Sequence, residues 1–278
     1  MRAVLYPPAR PQAIAEVLDS AFRIFRVTLL KCLPFSVMAT IAGQLQNIYT
    51  IVSGRHLQKF GNSDPAWWAL YVVGVFVSFA CVNAIFFRQA AIASGAPMRG
   101  AAAMARGMRA APSSIAVMIL MVIIVGLCVL PVAAVARTYF AFALVVFLVP
   151  ACYLGVLFIC SPPALLISGK GIVGSLRHSA HLVHGNWWRT VMVYTVVLTM
   201  IIVLSVTAGL VIGVITQLTA ARDLAVMTAV STVMVVASGA VYVPFVTAMS
   251  IALYGDLEAR KDGRDIERRL AAEAAAES

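Results

Sequence analysis

The chain has 278 residues, 62% of them hydrophobic and 12% charged, with a net charge of +10. A soluble domain carries about 25% charged residues, and several uncharged runs here exceed the roughly 20 residues that cross a hydrocarbon core. Composition therefore excludes an ordinary soluble fold, and the continuity of the runs excludes a β-barrel, which needs short alternating segments.

Taken in order, residues 1–11 hold Pro7, Pro8 and Pro11 and predict an irregular lead, with no apolar core or cleavage site for a signal peptide. Residues 12–26 predict an amphipathic helix, with Ile14, Val17, Leu18, Ala21 and Phe25 on one face and Glu16, Asp19, Arg23 and Arg26 mostly elsewhere. It runs without a break into a first apolar span over about 27–52, with Lys31 near its inner end. Gly54, Gly61, Asn62, Asp64 and Pro65 mark a loop, and Trp67 and Trp68 mark an interface where indole rings sit. The second span ends at Arg88, and residues 95–113 read as a weaker interfacial helix carrying Arg99, Arg106 and Arg109.

The third and fourth spans, about 114–136 and 139–166, are joined at Arg137 and Thr138 as a tight hairpin, with Pro162 and Pro163 ending or kinking the second of them. Next comes the most clearly amphipathic stretch, 171–189, where Ile172, Leu176, Ala180, Val183 and Trp187 share a face. Such a helix is expected to lie in the membrane interface. The fifth span, about 190–216, places Ser205, Gly209 and Gly213 at steps of four, a small-residue face that invites close helix approach. The sixth run, 224–254, contains Pro244, and 256–278 reads as a charged, alanine-rich tail.

Charge orients these spans. All but four of the 21 Lys and Arg (Arg55, Lys59, Arg137 and Arg222) fall on the side of the termini, so both termini are expected in the cytosol of a bacterial cytoplasmic (inner) membrane protein. The expected fold is an all-α polytopic membrane domain spanning 1–278. Its six transmembrane helices form three hairpins, each preceded by a cytosolic interfacial amphipathic helix. Possible repeats are 12–95, 98–170 and 171–256, with Arg26, Arg109 and Arg189 at equivalent positions.

The chemistry-bearing residues are sparse. All 11 acidic residues lie outside the apolar spans, and no metal spacing, nucleotide-binding or hydrolase motif occurs, so neither catalysis nor a cofactor is expected. Cys32, Cys81, Cys128, Cys152 and Cys160 read as packing residues. His178, His181 and His184 spread over about 120° of helix and read either as a metal or pH-sensitive patch or as a solvated, headgroup-contacting stripe. Gln44, Gln46, Asn47 and Asn83 either line a polar passage or tie the first hairpin together by hydrogen bonds. The net charge is met by anionic lipid and the positive-inside rule, not by nucleic acid. Arg23, Arg26, Arg106, Arg109, Arg177 and Arg189 are the candidate headgroup contacts.

Three segments carry a resemblance. Residues 10–26 (Arg-Pro-Gln-Ala-Ile-Ala-Glu-Val-Leu-Asp-Ser-Ala-Phe-Arg-Ile-Phe-Arg) resemble the opening of a bacterial group of six-helix membrane proteins, related to the membrane domain of some glycerophosphoryl diester phosphodiesterases. Residues 175–188 are similar to the group's S-x-x-L-x-x-G-x-W-W helix, and 254–263 to its Y-x-D-L-x-x-R-x-x-G ending. The resemblance implies the six-helix topology; with no phosphodiesterase domain in the chain, it does not imply that activity. The function expected is a non-catalytic, lipid-contacting scaffold or partner subunit, with a lipid or small-amphiphile permease or flippase as the alternative. A membrane or cytosolic protein partner is compatible with the first.

Overall fold

The computed structural model describes residues 5–53, 64–135, 140–218 and 224–261. Among these, every regular element is α-helical: α1 (Ile14–Gly43), α2 (Leu45–Val52), α3 (Pro65–Ala93), α4 (Gly100–Val135), α5 (Phe140–Leu157), α6 (Ser161–Leu166), α7 (Ile172–Val183), α8 (Trp187–Leu218) and α9 (Leu224–Lys261). Six helical stretches are long and apolar enough to cross a membrane, beginning at Ile14, Pro65, Gly100, Val149, Trp187 and Ala229. The chain is a multi-pass membrane protein.

The first helix begins where Glu16 accepts the Ala13 N–H at 2.8 Å and pairs with Arg10 at 2.9 Å. An acid in the first turn suits the positive end of the helix dipole. From there Val17, Ala21, Ile24, Thr28, Cys32, Ser36, Ala39 and Ala42 form one buried seam. The amphipathic segment and the first span are thus a single helix, as the unbroken pattern predicts, and no separate interfacial unit covers 12–26. The seam is mostly small residues, so neighbouring backbones approach closely. It ends at Gln44, where a turn separates α1 from α2. The second expected interfacial helix is likewise absent as a unit, since α4 runs from Gly100 through Pro112 to Val135 without a break. Only the third, α7, stands apart, set off by Gly171 (φ 64°) and Gly185 (φ 85°) in the left-handed region that favours glycine. The three proposed repeats therefore differ in their first elements.

Packing is centred on α1, which lies along both α9 and α3, while α3 pairs with α4. The most extensive contacts, α1 with α9 and α3 with α4, run between the expected hairpins. Glycine sets the two tightest crossings. A Cβ on Gly107 would stand 2.2 Å from the Ala80 carbonyl oxygen, and one on Gly239 would stand 2.2 Å from Thr40 Cγ2. The face expected to pack, Ser205/Gly209/Gly213, is exposed, and a Cβ on Gly209 or Gly213 meets nothing within 4 Å. That expectation is corrected: spacing of small residues marks a possible approach, and among the described residues no helix comes close enough to Gly209 or Gly213 to need the missing side chain.

Pro244 removes an N–H from the middle of α9 and releases the Ala240 carbonyl four residues earlier. Ser36 Oγ of α1 donates to Ala240 O at 3.0 Å and lies 2.9 Å from Gly239 O. Gln89, fully buried on α3, donates to Pro244 O (2.9 Å) and Thr28 Oγ1 (3.2 Å) and accepts from Thr247 Oγ1 (2.7 Å). The Pro244 turn is held by polar groups from both neighbouring helices, as backbone freed inside a bilayer requires.

Candidate functional site

The two ends of the described chain meet. The lead crosses the end of α3, with the Leu5 and Tyr6 N–H groups donating to Ala93 O at 2.8 and 3.2 Å. It then passes over Gly255 of α9, where a Cβ would stand 2.8 Å from Pro8 Cδ and 2.9 Å from Tyr6 Cε2. Beneath it α9 is buried from Ser250 to Ala259. The tail expected from Asp256 is therefore, up to Lys261, the last turns of a packed helix; residues 262–278 lie outside the described residues.

At the centre is Asp256, with no solvent exposure. Its Oδ1 accepts the Gln12 N–H at 2.7 Å, and its Oδ2 pairs with Arg189 Nε at 2.9 Å and Arg260 Nε at 3.2 Å. Both guanidinium groups also donate to Gln12 O, Arg260 at 2.7 Å. One carboxylate thus joins the lead, α8 and α9 through charge-assisted bonds. This corrects Arg189 as a headgroup contact: its side chain is 16% exposed and committed to Asp256.

Two residues on, about half a helical turn, Glu258 is buried at 3% exposure. It accepts from Ser168 Oγ at 3.3 Å and lies 3.9 Å from His178 Nε2, while Tyr254 OH shares a 2.6 Å hydrogen bond with Ser168. The His178 and Tyr254 rings meet edge-on at 6.1 Å. So the three histidines divide: His178 faces α9, whereas His181 and His184 are exposed. Among the described residues no group of three His, Cys, Asp or Glu is arranged to hold a metal.

The buried face of α7 is Ser175, Leu176, Ser179, Leu182 and Val183, turned from the expected line through Ile172 and Ala180. Ile172 is exposed. The face covers protein: Ser179 Oγ accepts the Cys160 N–H at 3.1 Å and donates to Leu157 O at 2.8 Å, closing the break between α5 and α6. That break lies just before Pro162 and Pro163, where a helix end was expected.

The amides are engaged locally. Gln46 donates to Gly43 O (3.1 Å) and Asn47 to Gln44 Oε1 (2.6 Å), both around the α1–α2 turn. Asn83 lies within 3.5 Å of Gly107 O and accepts from Ser114 Oγ at 3.1 Å, joining α3 to α4, not to the first span. Sequence reasoning missed Gln89, Asp256 and Glu258. For Asp256 and Glu258 the available signal was their position among Leu253, Tyr254 and Leu257, which continues the apolar run in helical phase.

On the outside of this end, Arg23 pairs with Asp19 at 2.8 Å. Arg26, Arg106, Arg109 and Arg177 are exposed, with no ion pair to a carboxylate among the described residues. Cys32, Cys81 and Cys160 are buried and Cys152 is exposed; the Cys128 side chain lies outside the description. Arg55, His56 and Lys59 also fall outside the described residues.

No family model matches the chain, and no curated protein or solved structure matches it either. The segments 10–26, 175–188 and 254–263, which carry the resemblance noted above, contribute Gln12, His178, Tyr254, Asp256 and Arg260 to this one end of the molecule. The site is a charged clamp that joins the first and last described segments of a membrane protein with six helices long enough to span.

Proposed function

We propose that the chain is a non-catalytic scaffold of the bacterial cytoplasmic membrane, with both termini cytosolic, whose clamped end presents a basic collar to anionic lipid or to a partner docked there. The observation that carries the reading is a segregation of charge. The carboxylates of Asp256 and Glu258 are buried and bonded, while Arg26, Arg106, Arg109 and Arg177 remain exposed around them. Near an anionic leaflet each such cation contributes about 1 kcal/mol, within a Debye length of the surface. The satisfied amides of α1–α4 favour a scaffold over a permease or flippase, which would need them along a path. The relation to the membrane domain of glycerophosphoryl diester phosphodiesterases is part of this proposal.

The test is a fourfold variant, Arg26→Gln, Arg106→Gln, Arg109→Gln and Arg177→Gln. Retention of phosphatidylglycerol or cardiolipin on the purified protein at low salt should fall several-fold, as high salt alone makes it fall for the wild type. Unchanged retention in the folded variant removes the collar.

A further inference from the structure

Arg88 differs from every other arginine described above. It is half-buried near the inner end of α3, its guanidinium lies 5.4 Å over the Phe35 ring of α1, and its Nε is shielded from solvent with no hydrogen-bond partner. The described carboxylates have their partners elsewhere: Glu16 at Arg10, Asp19 at Arg23, Asp64 at the start of α3, Asp256 at Arg189 and Arg260, and Glu258 at Ser168 and His178. A partly desolvated cation with no counter-charge is costly in an apolar setting.

Its surroundings point to what supplies that charge. Lys31 lies four residues before Phe35 on α1, one helical turn away on the side of that ring, so a second cation stands near this junction of helices. Gly100 closes its third side, where a Cβ would come 3.1 Å from Arg88 Nη1 and 3.4 Å from Phe35 Cζ. The first turn of α4 starts there, and its first closed bond is Ala103 N–H to Arg99 O, leaving earlier N–H groups available for an anion. Depth fits as well: from Trp68 to Arg88 the helix rises about 30 Å, the thickness of the hydrocarbon core. Leu30, beside Lys31, is 82% exposed and offers acyl chains an apolar wall.

We propose that the α1–α3–α4 junction at Arg88, Lys31 and Gly100 binds the phosphate of one anionic phospholipid per chain. The assignment rests on the reading of this end as the cytosolic headgroup level, but the site is separate from the exposed collar. A guanidinium seated over a ring donates to phosphate oxygens in a fixed direction. Binding here is therefore less sensitive to salt than at the surface.

The full chain, delipidated in neutral detergent, is titrated in native mass spectrometry with phosphatidylglycerol, with diacylglycerol, and with phosphatidylglycerol in the presence of inorganic phosphate. The wild type should hold one phosphatidylglycerol that persists after a high-salt wash. Arg88→Gln should weaken that event about tenfold, whereas Arg88→Lys should keep part of it and the fourfold collar variant all of it. If Arg88→Gln does not fold, Phe35→Leu serves, because it unseats the guanidinium and should lower the occupancy. Equal occupancy in Arg88→Gln, or in Phe35→Leu where that variant is used, would overturn the site, and so would diacylglycerol binding as well as phosphatidylglycerol. Displacement by inorganic phosphate would reassign the junction to a free anion and overturn the lipid. Loss of salt-sensitive lipid in the collar variant tests the collar independently of these outcomes.

Discussion

Gly107 and Gly209 both sit on long apolar helices, and only one of them is a contact. At Gly107 the backbone of α3 fills the space a methyl group would need, with Ala80 O at 2.2 Å and Ala84 N at 2.9 Å. At Gly209 the corresponding space is open. The surroundings explain the difference. Gly107 lies beside Asn83, which receives Ser114 and reaches the Gly107 carbonyl, so a polar tie and a small residue act together. The Gly209 face has Val206, Leu210 and Val214 around it, all well exposed. Close approach between membrane helices is marked by a small residue joined to a satisfied polar neighbour, and glycine spacing alone does not show it.

The sharpest way to break this comparison is a leucine at each position. Gly107→Leu should prevent assembly of α3 on α4, at a cost of about 3 kcal/mol or more. Gly209→Leu should stay within about 0.5 kcal/mol of wild type. Unfolding in a dodecyl sulfate titration reads both, and similar stabilities would show that α8 packs as tightly as α4. A smaller loss is expected from Asp256→Asn, which leaves Arg189 and Arg260 without their carboxylate. We expect about 2–3 kcal/mol, below the full penalty for a broken buried pair because Arg260 keeps some contact with water. The same titration checks it, and Arg189→Gln added to Asp256→Asn should cost less than the sum of the two single changes. The smallest effect is Gln89→Leu. It removes the donor to Pro244 O and should cost about 1–2 kcal/mol, with Thr247 left to find another acceptor. No loss there would show that the Pro244 region holds without α3.

The spans themselves were legible from uninterrupted apolar length, as were the helix break at Pro162 and Pro163 and the start of α3 after Asp64. These features are local, and local chemistry decides them. The face of α7 was not legible, because Ser175 and Ser179 look like polar interruptions until the open backbone at Leu157 and Cys160 is placed beside them. Arg189 looked like another interfacial cation because its partner is 67 residues away. Asp256 looked solvated because an alanine-rich charged sequence follows it. The lead folding back over Gly255, together with Arg189 of α8, takes it out of water.

The polar contacts around Pro244 of α9 also have a consequence for how the protein is made. Gln89 and the Thr247 hydroxyl it receives are 158 residues apart, and Ser36 waits still longer for Gly239 and Ala240, 203 and 204 residues further on. At roughly 5–20 residues per second of translation, Gln89 spends about 8–30 s in the bilayer before its acceptor and donor emerge. During that interval α1 and α3 carry polar groups whose final partners do not yet exist. The pair completes its polar contacts only when α9 arrives, so closure of this part of the core waits for a helix made long after both.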